Sequence, residues 1–273
     1  MICDVFTDRA LAGNPLAVFT DARHIDTATM QALARETNLS ETTFVLPPQR
    51  GGHARVRIFT PTRELPFAGH PTLGTAFVLG APLEANELRL ELGVGVVPVK
   101  LEREAGKLSF GWMTQPVPRL EPFENADALM RALGREAPQL PLACYDNGAK
   151  HVCVGLESPS AVAQLSPDFS ALSRAVDAGV CVFHYDGHVC KARYFAPYAG
   201  VPEDPATGSA AGPLALHLQR HRKIREGQVL QIDQGAEIRR PSTLFARVDR
   251  EEDEPIVQVG GAARIVGRGQ FSF

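Results

Sequence analysis

The sequence lacks the features that mark several common classes of protein. In 273 residues it has five cysteines and one tryptophan, and 28 Lys and Arg residues nearly balance 31 Asp and Glu residues, for a net charge of -3. This balance excludes a general attraction to nucleic acid or to an anionic membrane. No apolar run is long enough to span a bilayer, and the first residues show no basic segment followed by an apolar one. We therefore expect neither a transmembrane helix nor a signal peptide.

The cysteines are scattered and odd in number, and no two of them form a CxxC pair. This pattern argues against a disulfide framework and against a zinc site, and the histidines show no third ligand nearby, so we predict no metal. Several cysteines lie in apolar runs typical of strands, which predicts small buried hydrophobic side chains in a reducing cytoplasm. The five are Cys3, Cys144, Cys153, Cys181 and Cys190.

A short phrase occurs twice in the chain. The first copy covers 57–61 (RIFTP) and 69–76 (GHPTLGTA), and the second covers 193–197 (RYFAP) and 203–210 (EDPATGSA). Each copy reads as an apolar strand, a loop, and a helix of small residues that opens with a polar residue followed by Pro. The repeat predicts two similar lobes, each with a helix N-terminus. Two such termini facing one cleft would bind a small anion.

The pattern around each phrase indicates strands and few helices. A helix is predicted over 26–36 with Asp26 as its N-cap, and strands are predicted over 41–46 and 54–59. The helices predicted from Pro71 to Gly80 and from Pro205 to Leu218 are almost free of polar residues, so each must be surrounded by protein. Each lobe is therefore expected to wrap strands around a buried helix.

The helix starts provide the first candidate site residues. His70 and Asp204 precede the prolines and are predicted at the capping positions, where Asp is common and His is not. Gly69 and Gly208 would let backbone N–H groups approach a ligand, and Ser209 adds a hydroxyl. Taken singly, Asp204 reads as an ordinary cap, His70 as a buried histidine and the glycines as packing positions. The equivalence of the two copies favours a functional interpretation.

Glu41 is a further candidate. It follows a turn and opens a strand of Thr, Phe, Val and Leu residues. A carboxylate beside an apolar segment is a candidate base with a raised pKa, although an exposed charge at a strand end is the commoner case. The residues alone leave Glu41 as one candidate among many.

In combination these motifs resemble one known family over essentially the whole chain. The segments are 4–7 (DVFT), 13–19 (GNPLAVF), 38–44 (NLSETTF), 67–72 (FAGHPT) and 204–210 (DPATGSA), with 234–235, 240–242 and 259–261 towards the C-terminus. They are similar to the PhzF-like family of phenazine-biosynthesis isomerases. The resemblance implies an α+β diaminopimelate epimerase-like fold with two pseudo-symmetric lobes, each a curved mixed sheet or barrel around a central helix. Residues 1–116 with 262–273 would form the first lobe and 117–261 the second.

The resemblance also implies roles for the candidate residues. Glu41 would be the proton shuttle, while His70 and Asp204 would bind and polarise the substrate. The substrate carboxylate would be held by Gly69, Gly208 and Ser209, and Ser40 would be a further substrate-binding residue. The reaction implied is a proton transfer between carbons of a small unsaturated cyclic carboxylate, similar to dihydro-hydroxyanthranilate isomerase. No cofactor, nucleic acid or membrane is implied, and the expected assembly is a cytoplasmic homodimer.

Two alternatives remain open from the sequence. The first is an epimerase or racemase of a hydroxy or amino acid, but Ala68 and Ala206 stand where the paired cysteines of such enzymes are expected. The second is a protein that binds small carboxylates without catalysis. The presence of Glu41, His70 and Asp204 argues against the second alternative.

Overall fold

The computed structural model describes residues 1–252 and 254–272. The chain divides into two compact units, Met1–Thr114 with Gly260–Phe273, and Gln115–Val259. The first predicted lobe includes Phe273 and the second includes Asp253, and these two residues lie outside the described ranges. No helix of the described residues is long and apolar enough to cross a membrane.

The first unit contains a continuous series of paired strands and two helices. Strand β1 is antiparallel to β2 and β18, β2 is parallel to β3, and β3 is antiparallel to β4. Strand β4 is antiparallel to the short β5 and parallel to β6, and β6 and β7 continue the series to β8. The bounds are β1 Ile2–Val5, β2 Asn14–Phe19, α1 Thr27–Thr37, β3 Glu41–Leu46, β4 Ala54–Phe59, β5 Glu64–Leu65, α2 Gly69–Gly80, β6 Glu87–Leu92, β7 Gly95–Glu104, β8 Lys107–Gln115 and β18 Ala263–Gly267.

The second unit repeats this connectivity. Strand β10 is antiparallel to β11, β11 is parallel to β12, β12 is antiparallel to β13, and β13 is antiparallel to β14 and parallel to β15. Strand β15 is antiparallel to β16, and β9 extends the other end beside β10. The bounds are β9 Arg119–Glu121, α3 Ala126–Ala132, β10 Ala143–Asp146, β11 Lys150–Gly155, α4 Pro159–Ala163, α5 Phe169–Ala175, β12 Gly179–Tyr185, β13 Val189–Ala196, β14 Val201–Asp204, α6 Gly208–Arg220, β15 Leu230–Gln234, β16 Ser242–Glu251 and β17 Glu254–Gly261.

Helices α2 and α6 occupy the same place in the two series, in the crossover between the parallel strands β4 and β6 and between β13 and β15. Helix α2 packs against six strands of its unit, and almost all of its residues are buried, which satisfies the requirement of a helix that is apolar on all sides. Helix α6 packs against β11 and β16. The repeat predicted from the two phrases is confirmed by this connectivity.

A matching ion pair marks the repeat as well. On β4 and β5, Arg57 makes a two-pronged contact with Glu64, 2.6 Å at its shortest. On β13 and β14, Arg193 does the same with Glu203 at 2.7 Å. Each guanidinium also lies over the ring of the phenylalanine two residues further along its strand, at 5.0 Å and 4.9 Å. In each unit this ion pair therefore holds the short strand, β5 or β14, next to the longer strand that precedes it, β4 or β13.

Candidate active site

Glu41 is the first residue of β3, and its polar neighbours in sequence are bonded to other parts of the first unit. The Ser40 hydroxyl donates to the Asn14 side-chain oxygen at 3.2 Å. The hydroxyl of Thr43 lies 2.9 Å from that of Thr75 on α2, so β3 is tied to the central helix by a buried side-chain bond. These contacts fix the start of β3. The Glu41 side chain itself is 16% exposed and approaches the first turn of α2.

His70 is the partner that Glu41 meets there. Its Nε2 atom lies 3.6 Å from Glu41 Oε2, and its side chain is 4% exposed. Burial lowers the pKa of His70 to about 3, because the protein does not solvate the imidazolium as water does. The contact is therefore between a neutral imidazole and a carboxyl group rather than an ion pair. Nε2 is buried and makes no hydrogen bond within the described part of the chain.

The predicted capping position of His70 is wrong. Helix α2 begins at Gly69, its N-cap is the extended Ala68, and His70 is the second helical residue. Pro71 is tolerated as the third residue because the first four N–H groups of a helix have no partner within it. Alanine has no side-chain oxygen, so the N-cap residue of α2 does not cap the first turn with its side chain. That turn retains backbone donors and the positive end of the helix dipole.

The predicted capping position of Asp204 is also wrong. Asp204 ends β14, and α6 begins four residues later at Gly208 with Thr207 as its N-cap. The Thr207 hydroxyl donates to Asp204 Oδ2 at 2.5 Å instead of capping the helix. Gln234 holds the same segment, because its amide donates to the Asp204 carbonyl at 2.8 Å and to the Thr207 hydroxyl at 3.1 Å. Asp204 is thereby fixed, 7% exposed, just before the helix.

Gly208 and Ser209 are the first two residues of α6, and both are buried. Their carbonyl groups accept hydrogen bonds from two side chains that the sequence did not single out. Gln115 donates to the Gly208 carbonyl at 2.7 Å, and Asn147 donates to the Ser209 carbonyl at 2.9 Å. Gln115 is the last residue of β8 and is followed by Pro116. Nothing local connects it with a helix 93 residues away.

The predicted sites thus fall into two groups. The first unit brings Glu41 and His70 together, with Ser40 before Glu41 and Gly69 at the start of α2. The second unit places Asp204 next to Thr207 and the first turn of α6, which holds the remaining two predicted residues, Gly208 and Ser209.

The cysteines do not provide a base. All five are free and buried, as predicted. Burial raises the pKa of each thiol, to about 12 for Cys3 and Cys181, so none is a thiolate near neutral pH. The residue before α2 is Ala68, and Ala206 lies in the segment before α6. The two-thiol chemistry of an epimerase therefore has no residues to perform it.

Comparison with known proteins identifies the family. Residues 3–269 match the family model described as phenazine biosynthesis-like protein, PhzC-PhzF. The trans-2,3-dihydro-3-hydroxyanthranilate isomerase of Pseudomonas aeruginosa is 48% identical over 271 residues, which are 99% of this chain and 98% of that protein. A PhzF-family protein of Bacillus anthracis has a similar structure, with a TM-score of 0.85 at 25% identity over 96% of this chain and 94% of that one.

A more distant structure bears on the fold alone. A probable proline racemase of Agrobacterium radiobacter superposes with a TM-score of 0.68 at 14% identity, over 100% of this chain and 92% of that chain. The diaminopimelate epimerase-like fold class is thereby confirmed. The chain belongs to the phenazine biosynthesis-like protein family, and the prediction that it is an isomerase is confirmed.

Proposed function

We propose that the protein isomerises a small unsaturated cyclic carboxylate by moving a proton from one ring carbon to another. The observation on which this rests is the buried contact between Glu41 Oε2 and His70 Nε2 at 3.6 Å. Trans-2,3-dihydro-3-hydroxyanthranilate, the compound named in relatives at 48% and 47% identity, is the substrate to test first. Glu41 takes the proton as a carboxylate and returns it as a carboxylic acid, so the reaction consumes and releases nothing else.

His70 acts as a neutral group in this scheme. Because burial holds its pKa near 3, it has no positive charge at neutral pH and does not trap Glu41 in an ion pair. It offers a hydrogen bond to a polar group of the substrate, and its buried Nε2 atom is the atom that does so. If kcat falls as the pH is lowered from 7 to 5, protonation of His70 is therefore not the cause.

The family resemblance assigns the binding of the substrate carboxylate to helix starts. The first turn of α2 begins at Gly69 and that of α6 at Gly208, and neither N-cap residue, Ala68 or Thr207, caps its helix with its side chain. Uncapped N–H groups and the positive end of the dipole favour an anion. Ser40, Gly69, Gly208 and Ser209 contribute to this binding. Asp204, which is held by Thr207, is assigned by the same resemblance to a polar group of the substrate.

The scheme is tested by replacing Glu41 with Gln. The amide keeps the size of the side chain but does not accept a proton at neutral pH, so we expect kcat to fall by at least about a hundredfold, the usual contribution of a general base. Substrate binding, measured by calorimetry, should persist. Glu36→Gln is the matched control, because Glu36 is exposed in the same unit and should keep wild-type kcat. Wild-type turnover by the Glu41→Gln variant would rule out the proposal.

The enzyme is further proposed to work as a homodimer in the cytoplasm. Five free thiols suit a reducing compartment, which supports the location. The homodimer follows from the family resemblance. Light scattering from the purified protein should give twice the mass of one chain, and a monomer at micromolar concentration would contradict this part of the proposal.

A further inference from the structure

Helix α6 lacks one backbone hydrogen bond near its start, and a side chain from another part of the second unit replaces it. Pro213 lies inside this helix. Proline has no N–H, and its ring crowds the carbonyl group four residues earlier, which here is that of Ser209. The Ser209 carbonyl therefore loses the hydrogen bond that residue 213 would otherwise donate. A buried carbonyl without a partner is costly, so a donor from elsewhere is required.

Asn147 is that donor. Its side chain, which is 3% exposed, projects from the turn between β10 and β11, and its Nδ2 donates to the Ser209 carbonyl at 2.9 Å. The same nitrogen donates to Gln115 Oε1 at 3.3 Å. Two carbonyl-type acceptors on one nitrogen fix which end of the Asn147 amide is which. Its Oδ1 is buried and accepts no hydrogen bond from the described residues, a cost that the two donated bonds offset.

Gln115 completes the arrangement. It is 3% exposed, accepts from Asn147 and donates through Nε2 to the Gly208 carbonyl at 2.7 Å. Gly212 makes room for it, because a Cβ at position 212 would collide with Gln115 Oε1 and would lie 2.6 Å from Val257 Cγ1. Glycine and proline at 212 and 213 are both poor in a helix interior. The absence of a side chain at Gly212 leaves space for the Gln115 amide. The absence of an N–H at Pro213 leaves the Ser209 carbonyl without a donor in the helix, and Asn147 supplies one.

We propose that Asn147 is a positioning residue for the reaction, which supplies the N–H missing at Pro213 and, with Gln115, sets the orientation of the Gly208–Ser209 turn that binds the substrate carboxylate. The inference rests on the proposed function, since it assigns that turn to the substrate. Asn147 does not touch the reacting carbons in this scheme. Its loss should therefore weaken binding and leave the proton transfer itself largely intact.

A double-mutant cycle with Pro213→Ala tests the inference on trans-2,3-dihydro-3-hydroxyanthranilate. Asn147→Ala should raise KM about tenfold, the equivalent of one lost buried hydrogen bond, with a smaller change in kcat and no shift of the pH profile. Asn147→Asp, equal in size but without the donor, should raise KM at least as much. Pro213→Ala restores an N–H to the helix, so the double variant Asn147→Ala/Pro213→Ala should return to within about twofold of Pro213→Ala alone.

The matched control is Asn125→Ala. Asn125 also donates its amide to a backbone carbonyl of the second unit, that of Ala175, but it lies at the start of α3. The KM of the Asn125→Ala variant should equal that of the wild type. Equal KM values for Asn147→Ala and Asn125→Ala, or no rescue by Pro213→Ala, would overturn the inference while the proposed function stands. A wild-type enzyme without turnover would contradict the proposed function and this inference together.

Discussion

Three buried histidines should lower the free energy of unfolding in mild acid. Burial lowers the pKa of His70 and His151 to about 3 and that of His217 to about 4, against an ordinary value of 6.5. The unfolded chain takes up protons on these residues below pH 6.5, while the folded protein does not until pH 3 to 4. Their contribution to stability is complete above pH 6.5 and is lost progressively as the pH falls towards those low values.

The size of the effect at pH 5.5 does not depend on how low the folded pKa values are. One pH unit below the unfolded pKa, each buried histidine costs RT ln(1 + 10), about 1.4 kcal/mol relative to pH 7.5. Three such residues give about 4 kcal/mol, a large part of a typical unfolding free energy of about 5–15 kcal/mol. Carboxylates with lowered pKa values, such as Asp26, act mainly below pH 5 and add little in this window.

Urea unfolding at pH 7.5 and 5.5 measures this loss directly. The variant His217→Gln should show a loss smaller by about 1.4 kcal/mol, because one of the three titrating groups is gone. The control His24→Gln replaces an exposed histidine and should show the loss of the wild type. Equal stability of the wild type at the two pH values, or an unchanged loss in His217→Gln, would refute the reasoning.

Two further predictions concern the core. Gly179→Ala would place a methyl group against the Tyr194 hydroxyl, which is bonded to buried His151 at 2.8 Å, and should destabilise the protein by about 3 kcal/mol or more in urea unfolding. Gly269→Ala, with open space around the new Cβ, should cost less than about 0.5 kcal/mol, and an equal loss in both variants would contradict the packing argument. The five buried thiols should not react with a disulfide reagent in the folded protein and should all react in denaturant; rapid labelling without unfolding would contradict their burial and raised pKa values.

Local patterns predicted the regular elements well. The bounds of β3 and β4 match the predicted 41–46 and 54–59, and Asp26 accepts a hydrogen bond from the Thr29 N–H as the N-cap of α1. These elements follow from alternation and capping chemistry, which operate over a few residues. The predicted N-caps of α2 and α6, at positions 70 and 204, were wrong. Proline is compatible with several positions of a first helical turn, as at Pro71, and it also occurs before a helix, as at Pro205.

The contacts of the candidate site could not be predicted from local sequence patterns alone. Glu41 was selected by the family resemblance, since a lone glutamate at a strand end has an ordinary structural explanation, whereas His70 was already favoured by the equivalence of the two repeated phrases. The bonds from Gln115 to Gly208 and from Asn147 to Ser209 join residues 93 and 62 positions apart, so no local pattern reports them. One local feature of the sequence does predict a bond of this kind. A proline inside the predicted helix 205–218 requires a replacement donor for the residue four positions before it.

The central claim is that Glu41 moves a proton between two carbons of one substrate. Proton NMR in D₂O, with trans-2,3-dihydro-3-hydroxyanthranilate and either the wild type or the Glu41→Gln variant, tests it most directly. The account predicts that the wild type shifts the ring double bonds, that the signal of the donor carbon's proton disappears at the same rate, and that both changes are lost in the variant. Deuterium entering a stereocentre without double-bond migration, or the same rate in both proteins, would contradict it.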